Sequence, residues 1–342
     1  VSVGSVVFAT NPFAAVDYRT KRTSCCRDRH FAAPSDAGRI IVPGMAGPSE
    51  RSIRPPAVAG MFYPADPNEC RAQAEGFVRQ VPVAAMERRA LGAIVPHAGW
   101  ICSGAIAGQS IAALASTAGR VDLVVVFGAI HTPIRIDRAA LDIHDAWATP
   151  LRLTDVAPEL AAEAIGGSQL FVRDERLHRR EHAVEVELPL IETAWPGVPV
   201  LPVEVPVDSC AVQIGEQTAR LCQRHGLSVV FLASSDLTHY GPDYDFAPVG
   251  LGPQALDWAK ENDRRLLALV TEMRAEAIVP EVKLHQNACG GGAIAAMLAA
   301  CRYLGASRAT VLRHANSCET LAELRPQPPV NAVGYAAVVV TD

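Results

Sequence analysis

The sequence lacks the features that mark nucleic-acid-binding and membrane-spanning proteins. Its 31 Lys and Arg residues are outnumbered by 36 Asp and Glu residues, which gives a formal net charge of −5. No basic field is therefore available to neutralise phosphates, and we expect neither nucleic-acid binding nor attraction to a membrane. No apolar run approaches the roughly 20 residues that cross a bilayer, and the N-terminus lacks the pattern of a secretion signal. The sequence predicts a soluble, cytoplasmic protein.

Several common catalytic and structural motifs are also missing. The nine cysteines have an odd count and irregular spacing, and no Cys-x-x-Cys pair occurs, which argues against a disulfide framework and a zinc ribbon. The sequence contains no Gly-x-Ser-x-Gly, no P-loop and no Gly-x-Gly-x-x-Gly. An α/β serine hydrolase, a P-loop nucleotide hydrolase and a dinucleotide-dependent enzyme therefore all lack their signatures.

What the chain does have is enough apolar sequence for a large core, since 49% of its 342 residues are hydrophobic. Residues 1–52 show no strand or helix periodicity, and we predict a disordered or loosely held N-terminal extension there. From residue 53 to residue 342, apolar runs typical of buried strands alternate with helical patterns, without a linker or an internal repeat. This pattern predicts one α/β domain with three layers, in which helices cover both faces of a sheet.

Polar side chains follow three of the predicted buried strands, at the point where each strand ends. His97 follows the run at residues 91–95, His131 follows residues 121–128, and Asp236 and His239 follow residues 227–233. Ligands of open α/β sheets bind beyond the carboxyl ends of the strands, so we expect these side chains to share one cleft. Cys289 stands in a glycine-rich turn that opens a helix, and we expect it at the same edge.

Each of these residues has an ordinary structural explanation when it is taken alone. A histidine is often a satisfied core residue, a lone cysteine is often a small buried hydrophobe, and Asp236 has the character of a helix cap. Together, two imidazoles and a thiolate suit iron, copper or zinc and do not suit magnesium or calcium. We therefore interpret His97, His131 and Cys289 as candidate metal ligands. Asp236 and His239 are candidate catalytic residues, with His239 as a general acid or base.

Seven segments of the chain together resemble the Memo family, the mediator of ErbB2-driven cell motility and its bacterial and archaeal branch, the AmmeMemoRadiSam system protein B. The similarity runs from about Arg54 to Val340 and is carried by Pro55-Pro-Ala-Val-Ala-Gly-Met-Phe-Tyr-Pro64, Pro96-His-Ala-Gly-Trp100 with Ser103-Gly104, Gly128-Ala-Ile-His131, Glu181-His-Ala-Val-Glu-Val-Glu-Leu-Pro189, Ser234-Ser-Asp-Leu-Thr-His-Tyr-Gly241, Cys289-Gly290 and Gly334-Tyr-Ala-Ala337.

The resemblance implies a fold similar to the class III extradiol dioxygenases, and a metal held by His97, His131 and Cys289. Asp236 and His239 would line that site. Residues expected around the metal or the substrate are His182, Trp100, Ser235 and Gly290. The chain departs from the family pattern where Gly128-Ala-Ile-His131 replaces Gly-Pro-(Ser/Asn/Thr)-His, and where Trp100 replaces a common tyrosine.

Three functions are open at this point. The first is a non-haem iron- or copper-dependent redox protein, dioxygenase-like, that acts on a small-molecule or peptide substrate. The second is a non-catalytic adaptor that holds a phosphorylated or anionic ligand in the same cleft. The third is a zinc-dependent hydrolase, in which the metal lowers the pKa of bound water. The resemblance further implies radical-SAM and AMMECR-type proteins as pathway partners.

Overall fold

The computed structural model describes residues 51–79, 87–322 and 330–342. The predicted extension, residues 1–52, lies outside this part of the chain except for its last two residues. The first strand begins at Ile53, where the sequence periodicity also begins.

Twelve strands are present in the described residues. They are β1 (Ile53–Arg54), β2 (Ala90–Val95), β3 (Leu123–Gly128), β4 (Ala139–Leu141), β5 (Ala146–Ala148), β6 (Leu153–Asp155), β7 (Phe171–Arg173), β8 (Val200–Glu204), β9 (Val229–Ser234), β10 (His239–Tyr240), β11 (Arg308–Asn316) and β12 (Ala332–Thr341).

Ten α-helices occur in the same part of the chain. They are α1 (Pro67–Arg79), α2 (Trp100–Thr117), α3 (Pro158–Gly167), α4 (Glu175–His178), α5 (Leu188–Ala194), α6 (Ala211–Arg224), α7 (Pro253–Thr271), α8 (Ala275–His285), α9 (Gly291–Tyr303) and α10 (Ser317–Thr320). Short 3-10 helices cover Glu185–Glu187 and Pro242–Tyr244. Among the described residues, no helix is both long and apolar enough to cross a membrane.

One large sheet organises the molecule. Its strands lie in the order β10-β12-β2-β9-β3-β8-β4-β7, and β11 pairs with β12. The four central strands, β2, β9, β3 and β8, are mutually parallel, so their carboxyl ends meet at one edge. A separate three-stranded sheet is formed by β1, β5 and β6. The three-layer α/β architecture expected from the sequence is confirmed.

The central strands are buried on both faces, which explains their continuous apolar sequences. Successive residues of β3 face opposite layers: Val124 and Val126 pack in the layer that contains α1, α2 and α5. Val125 and Phe127 pack in the layer that contains α6, α8 and α9. Helices therefore cover both faces, and the ends of the central strands are left as the open edge of the core.

The alternation of charged and apolar residues over 179–195 predicts a helix that Pro189 kinks or breaks, and the structure differs from this prediction. The regular α-helix covers only Leu188–Ala194, with Pro189 in its first turn, where a proline needs no backbone partner. The preceding residues form a loop and one 3-10 turn. Their carboxylates are buried: Glu181, Glu185 and Glu187 are each at most 1% exposed. These three carboxyl groups therefore lie in the interior of the protein, whereas Arg179 and Arg180 at the start of the segment are exposed.

Candidate metal centre

The register of the central strands brings the polar residues together. Ser234, the last residue of β9, lies opposite Val95 of β2 on one side and Gly128 of β3 on the other. The loops that leave these three strands carry His97, His131 and Asp236. Because parallel strands end at the same level, residues from distant parts of the chain lie within contact distance there.

His97 is held in one tautomer by the residues beneath it. The Ser234 hydroxyl donates its only hydrogen to the carbonyl of Ala183 at 2.6 Å. His97 Nδ1, 2.8 Å from the same hydroxyl, must therefore be the donor, because the hydroxyl can only accept a second bond. The lone pair of the neutral ring is then on Nε2. This nitrogen lies 3.3 Å from Cys289 Sγ.

Glu181 anchors the other two histidines. Its Oε1 accepts a hydrogen bond from His131 Nδ1 at 2.8 Å and lies 3.3 Å from His182 Nδ1. The same carboxylate accepts the backbone N–H groups of His131 at 2.6 Å and His182 at 2.8 Å. A carboxylate that accepts a hydrogen bond from one ring nitrogen orients the ring so that the other nitrogen can bind a metal, as is usual around metal sites.

The three histidines form a group that could hold a metal ion. One ligand atom from each of His97, His131 and His182 lies within 4.8 Å of the others. The rings of His131 and His182 stack at 4.4 Å, and His97 meets both edge-on. The sequence placed His182 near the metal or substrate without assigning it as a ligand. His182 directly follows Glu181 in the sequence, and this position is the signal that could have identified it as a candidate ligand.

Cys289 lies in the turn before α9, and its Sγ contacts His97 of the histidine group. Gly290 makes this turn possible, because a Cβ there would lie 2.7 Å from Ser235 Cβ. The Gly290 N–H instead donates to Ser235 Oγ at 2.9 Å. Ser235 and Gly290 therefore hold the turn against the end of β9, and Cys289 Sγ is positioned beside His97.

The contacts of Asp236 are with the backbone of the His97 loop. Asp236 Oδ1 accepts the N–H of His97 at 2.8 Å and that of Ala98 at 3.3 Å, and the carboxyl is buried. This geometry assigns Asp236 a positioning contact for the first histidine. His239 stands farther out, where its Nδ1 lies 3.0 Å from the Leu237 carbonyl. It lines a pocket together with Cys289.

Trp100 lies in the core behind the histidines. It is 3% exposed, packs between Tyr63 and Phe77, and donates from Nε1 to the Val186 carbonyl at 3.2 Å. Helix α2 begins at Trp100, and Ser103 in its first turns donates from its hydroxyl to the Ala98 carbonyl. Trp100 thus ties α2 to the 3-10 turn that follows His182.

Burial and charge affect the three titrating groups differently. Burial lowers the pKa of His97 well below its ordinary value, and the His131 and His182 rings lower it further. Burial lowers the pKa of His131 as well, but the Glu181 carboxylate and Cys289 together outweigh it and leave that pKa well above its ordinary value. Burial raises the pKa of Glu181, yet His131 lowers it more, so the carboxyl is ionised. Glu181 and His131 thus form an ion pair without a metal ion, and a metal that binds His131 through Nε2 would displace the proton from that nitrogen.

A buried arginine supports the loop that carries Glu181 and His182. Arg54, 1% exposed, donates to the carbonyls of Glu181 at 2.7 Å and His178 at 2.8 Å, and to Glu185 Oε2 at 2.7 Å. Glu185 in turn accepts from the N–H groups of Ala57 and Val58 and from Tyr63. Sequence reasoning missed this network, which connects residues 54–63 to the histidine loop.

Comparison with known proteins identifies relatives of this chain. Residues 54–339 match the family described as Memo-like protein. The chain belongs to the Memo-like family. A MEMO1 family protein of Methanosarcina barkeri is 33% identical over 296 residues, which cover 84% of this chain and 100% of the relative. Relatives in Methanosarcina acetivorans and Pyrococcus abyssi are 32% and 28% identical, each over 84% of this chain and 99% of its own length.

The Memo-like match covers all the elements of the centre. It begins at Arg54 and includes the histidine loops, the Glu181 anchor and the Cys289 turn. The family assignment made from the motifs is therefore confirmed, and the histidine group lies within the residues that match the Memo-like family.

Proposed function

We propose that this Memo-like protein is a metal-dependent redox protein whose centre is built from His97, His131 and His182, with Cys289 as a further ligand. Iron or copper is the resident metal. The proposal rests on the contacts that orient the imidazole rings through their Nδ1 atoms. His97 and His131 donate from Nδ1 to fixed acceptors, and His182 Nδ1 faces the same carboxylate, so all three can present Nε2 to one ion.

The donor set fits a transition metal and does not fit magnesium or calcium, which take oxygen ligands. A bound iron or copper ion would supply one-electron chemistry at this edge of the sheet. The protein's own residues would do the rest: Glu181 and Ser234 orient the imidazoles, Asp236 fixes the His97 loop, and His239 holds or moves a proton beside the pocket.

The thiol favours redox chemistry over zinc-dependent hydrolysis. Three imidazoles with an open position also suit zinc and a bound water, so hydrolysis is the second candidate. A thiolate beside the metal softens the donor set and favours metals that change oxidation state. Cys289 Sγ lies 3.3 Å from His97 Nε2, beside the group of three histidines. We therefore place redox function first.

An adaptor for phosphorylated ligands has less support. The pocket beside Cys289 is lined, among the described residues, by no lysine or arginine. Phosphate groups are usually held by paired cationic donors. Radical-SAM and AMMECR-type partners, and a place in the cytoplasm, stay predictions.

Anaerobic purification followed by elemental analysis tests the proposal. We expect about one iron or copper per wild-type chain, and oxygen consumption when a reductant is supplied. His182→Ala should lose the metal, as should Cys289→Ser, because each removes a donor. His239→Ala should keep the metal and lose about 10²- to 10⁴-fold in the rate of any proton-transfer step.

Matched controls are available on the surface. His225→Ala and Cys210→Ser replace partly exposed residues outside the centre and should change neither metal content nor oxygen consumption. Full metal occupancy in Cys289→Ser would exclude the thiolate as a required ligand. Wild-type protein that holds only zinc and shows no redox activity would favour hydrolysis.

A further inference from the structure

Two neighbouring residues of α7, Asn262 and Asp263, are buried beside the centre although their side chains are polar. They are 3% and 1% exposed, whereas Glu261 and Arg264 on either side of them face solvent. Burial of a polar group costs free energy unless the group is hydrogen-bonded. The partners of these two side chains therefore show what the pair does.

Asp263 fixes the segment after β9, residues 235–239. Its Oδ1 accepts the backbone N–H of Thr238 at 2.9 Å. Thr238 lies directly before His239, the candidate proton carrier. It also lies two residues after Asp236, which accepts the N–H of His97. A residue of α7 thus holds the backbone between two functional positions of the centre.

Gly334 of β12 leaves room for this carboxyl group. A Cβ at Gly334 would overlap with Asp263 Oδ2, the oxygen that lies 2.9 Å from His314 Nε2. The N–H of Gly334 also donates to the Thr238 carbonyl at 2.9 Å. The glycine that opens Gly334-Tyr-Ala-Ala337 is therefore the position through which the Asp263 carboxyl reaches the segment after β9.

Asn262 connects the same segment to the chain that leads to Cys289. Its Nδ2 donates to Thr238 Oγ1 at 3.2 Å and to the His285 carbonyl at 2.9 Å. Because a backbone carbonyl can only accept, the orientation of the amide is fixed. The Asn262 carbonyl in turn accepts from Asn287 Nδ2 at 3.0 Å. His285 and Asn287 precede Cys289 by four and two residues.

Direct contact between the two sides of the centre is less extensive. The Gly290 N–H donates to Ser235 Oγ at 2.9 Å, but the Cys289 N–H reaches the Asp236 carbonyl only at 3.4 Å. Sites built on helices and strands hold their geometry better than sites built on loops alone. Hydrogen bonds from one turn of α7 to both sides therefore give the two loops a common support.

We propose that Asn262 and Asp263 are positioning residues of the centre, which hold the Cys289 turn and the segment after β9 at a fixed spacing. Their effect on a bound metal rests on the proposed function. Their effect on the two loops does not, because none of the contacts that carry it involves a metal.

Cobalt(II), added to the full chain without oxygen, tests the effect on the metal. A thiolate bound to cobalt gives a charge-transfer absorption, which reports Cys289 directly. Asn262→Leu keeps a side chain of similar size without a donor. We expect it to lose most of this absorption and to bind cobalt about 10-fold more weakly, as for other supporting residues around metal sites.

Val270→Ala is the matched control, because it truncates a buried side chain further along α7 and lowers stability by another route. Its absorption and cobalt affinity should be those of the wild type. An Asn262→Leu protein with the absorption and affinity of the wild type would overturn the proposal.

Amide exchange in the presence of a chelator tests the support of the loops without a metal. The rate at Cys289 is divided by the rate at Phe231, which is buried in β9. Asn262→Leu should raise this ratio about 10-fold, because the loss of a buried hydrogen bond favours local opening. Thr238→Val, which removes the same bond from its other end, should raise it too. Val270→Ala should not raise it.

Rescue by a conservative variant tests Asp263. Asp263→Ala removes the acceptor of the Thr238 N–H and should speed exchange of that amide about 10-fold relative to Phe231. Asp263→Asn keeps an acceptor and should stay close to the wild type, as should Asp257→Ala at an exposed carboxylate of the same helix. Unchanged ratios in Asn262→Leu and Asp263→Ala would contradict the proposal.

The two proposals can fail separately. A wild-type chain that binds no iron, copper or cobalt, combined with raised exchange ratios in the variants, would retain the positioning role and lose the redox function. A wild-type chain that holds a redox-active metal, combined with unchanged spectra and ratios in the variants, would lose only the positioning role.

Discussion

Two buried histidine clusters of this protein differ in how their polar atoms are satisfied. In the centre, His97 Nδ1 has Ser234 as its partner, and His131 Nδ1 has Glu181. Behind it, His178 and Glu204 are fully buried, and neither the ring nitrogens nor the carboxyl oxygens have a hydrogen-bond partner among the described residues. Their closest approach, from His178 Nδ1 to Glu204 Oε1, is 3.6 Å, too long for a hydrogen bond.

The difference shows in the charge states. Burial lowers the pKa of His178 to about 4, and burial raises the pKa of Glu204 well above its ordinary value. Both groups are therefore held neutral, whereas Glu181 and His131 are held as an ion pair. A buried group without a hydrogen-bonded partner of opposite charge loses its charge, whereas Glu181 and His131 keep theirs because each compensates the other. Of the two clusters, only the one with Glu181 and His131 holds its side chains in place for a metal ion.

Arg54→Met should break both clusters at once and have the largest effect. Arg54 donates to the backbone of His178 and of Glu181, and it neutralises Glu185. Its removal leaves Glu185 as an unpaired buried charge, which typically costs about 3–5 kcal/mol. Chemical denaturation measures the loss in the free energy of unfolding.

The control for this variant is Arg152→Met, which removes a partly exposed ion pair with Glu192. Surface pairs contribute about 0–1 kcal/mol, so the control should be close to wild type. An Arg54→Met protein as stable as the control would show that Arg54 does not support the two clusters.

His178→Gln should change how stability depends on pH. The pKa of His178 is about 4 in the folded state and 6.5 in the unfolded state, so the unfolded chain binds more protons between these values. The contribution of neutral His178 is fully present above pH 6.5 and is lost as the pH falls to 4, by up to about 3 kcal/mol.

Denaturation curves at pH 7, 5.5 and 4 measure this dependence. The free energy of unfolding of the wild type should fall relative to that of His178→Gln as the pH decreases, because glutamine does not titrate. Parallel pH profiles of the two proteins would show that His178 is not held neutral in the folded state.

Glu181→Gln should have the smallest effect on folding and a specific effect on the metal. The amide keeps the size of the side chain but cannot pair with His131 as a carboxylate does. Loss of such a supporting carboxylate typically costs 10- to 100-fold in metal affinity. Competition with a chelator measures the affinity, and Glu163→Gln, at a surface carboxylate, is the matched control. Equal affinities would assign Glu181 to folding alone.

The sequence predicted the parts of the fold that have a local pattern. The apolar runs that became β2, β3 and β9 are buried over their whole length, and each ends next to a residue of the centre. The alternation of charged and apolar residues over 179–195 wrongly predicted a long helix, because the buried carboxylates there are spaced like residues on the surface of a helix. The Glu185 partner, Arg54, is 131 residues away, so no local pattern reveals it.

The tautomers of the histidines were beyond prediction for the same reason. They depend on Ser234 and Glu181, which lie 137 residues from His97 and 50 residues from His131. The motifs named His97 and His131 because each follows a strand. Only packing of the loops shows that His182 joins them.

The donors of the centre come from separate loops, and His97 and Cys289 are 192 residues apart in the chain. An ion bound to all of them acts as a cross-link among the ends of β2, β3 and the start of α9. No one of these loops can then open locally without releasing the ion. Amide exchange at these positions becomes a single cooperative event, slowed by the factor 1 + [metal]/Kd that mass action sets. If the proposed metal binds, its occupancy would decide whether this edge of the sheet moves as one unit or as several.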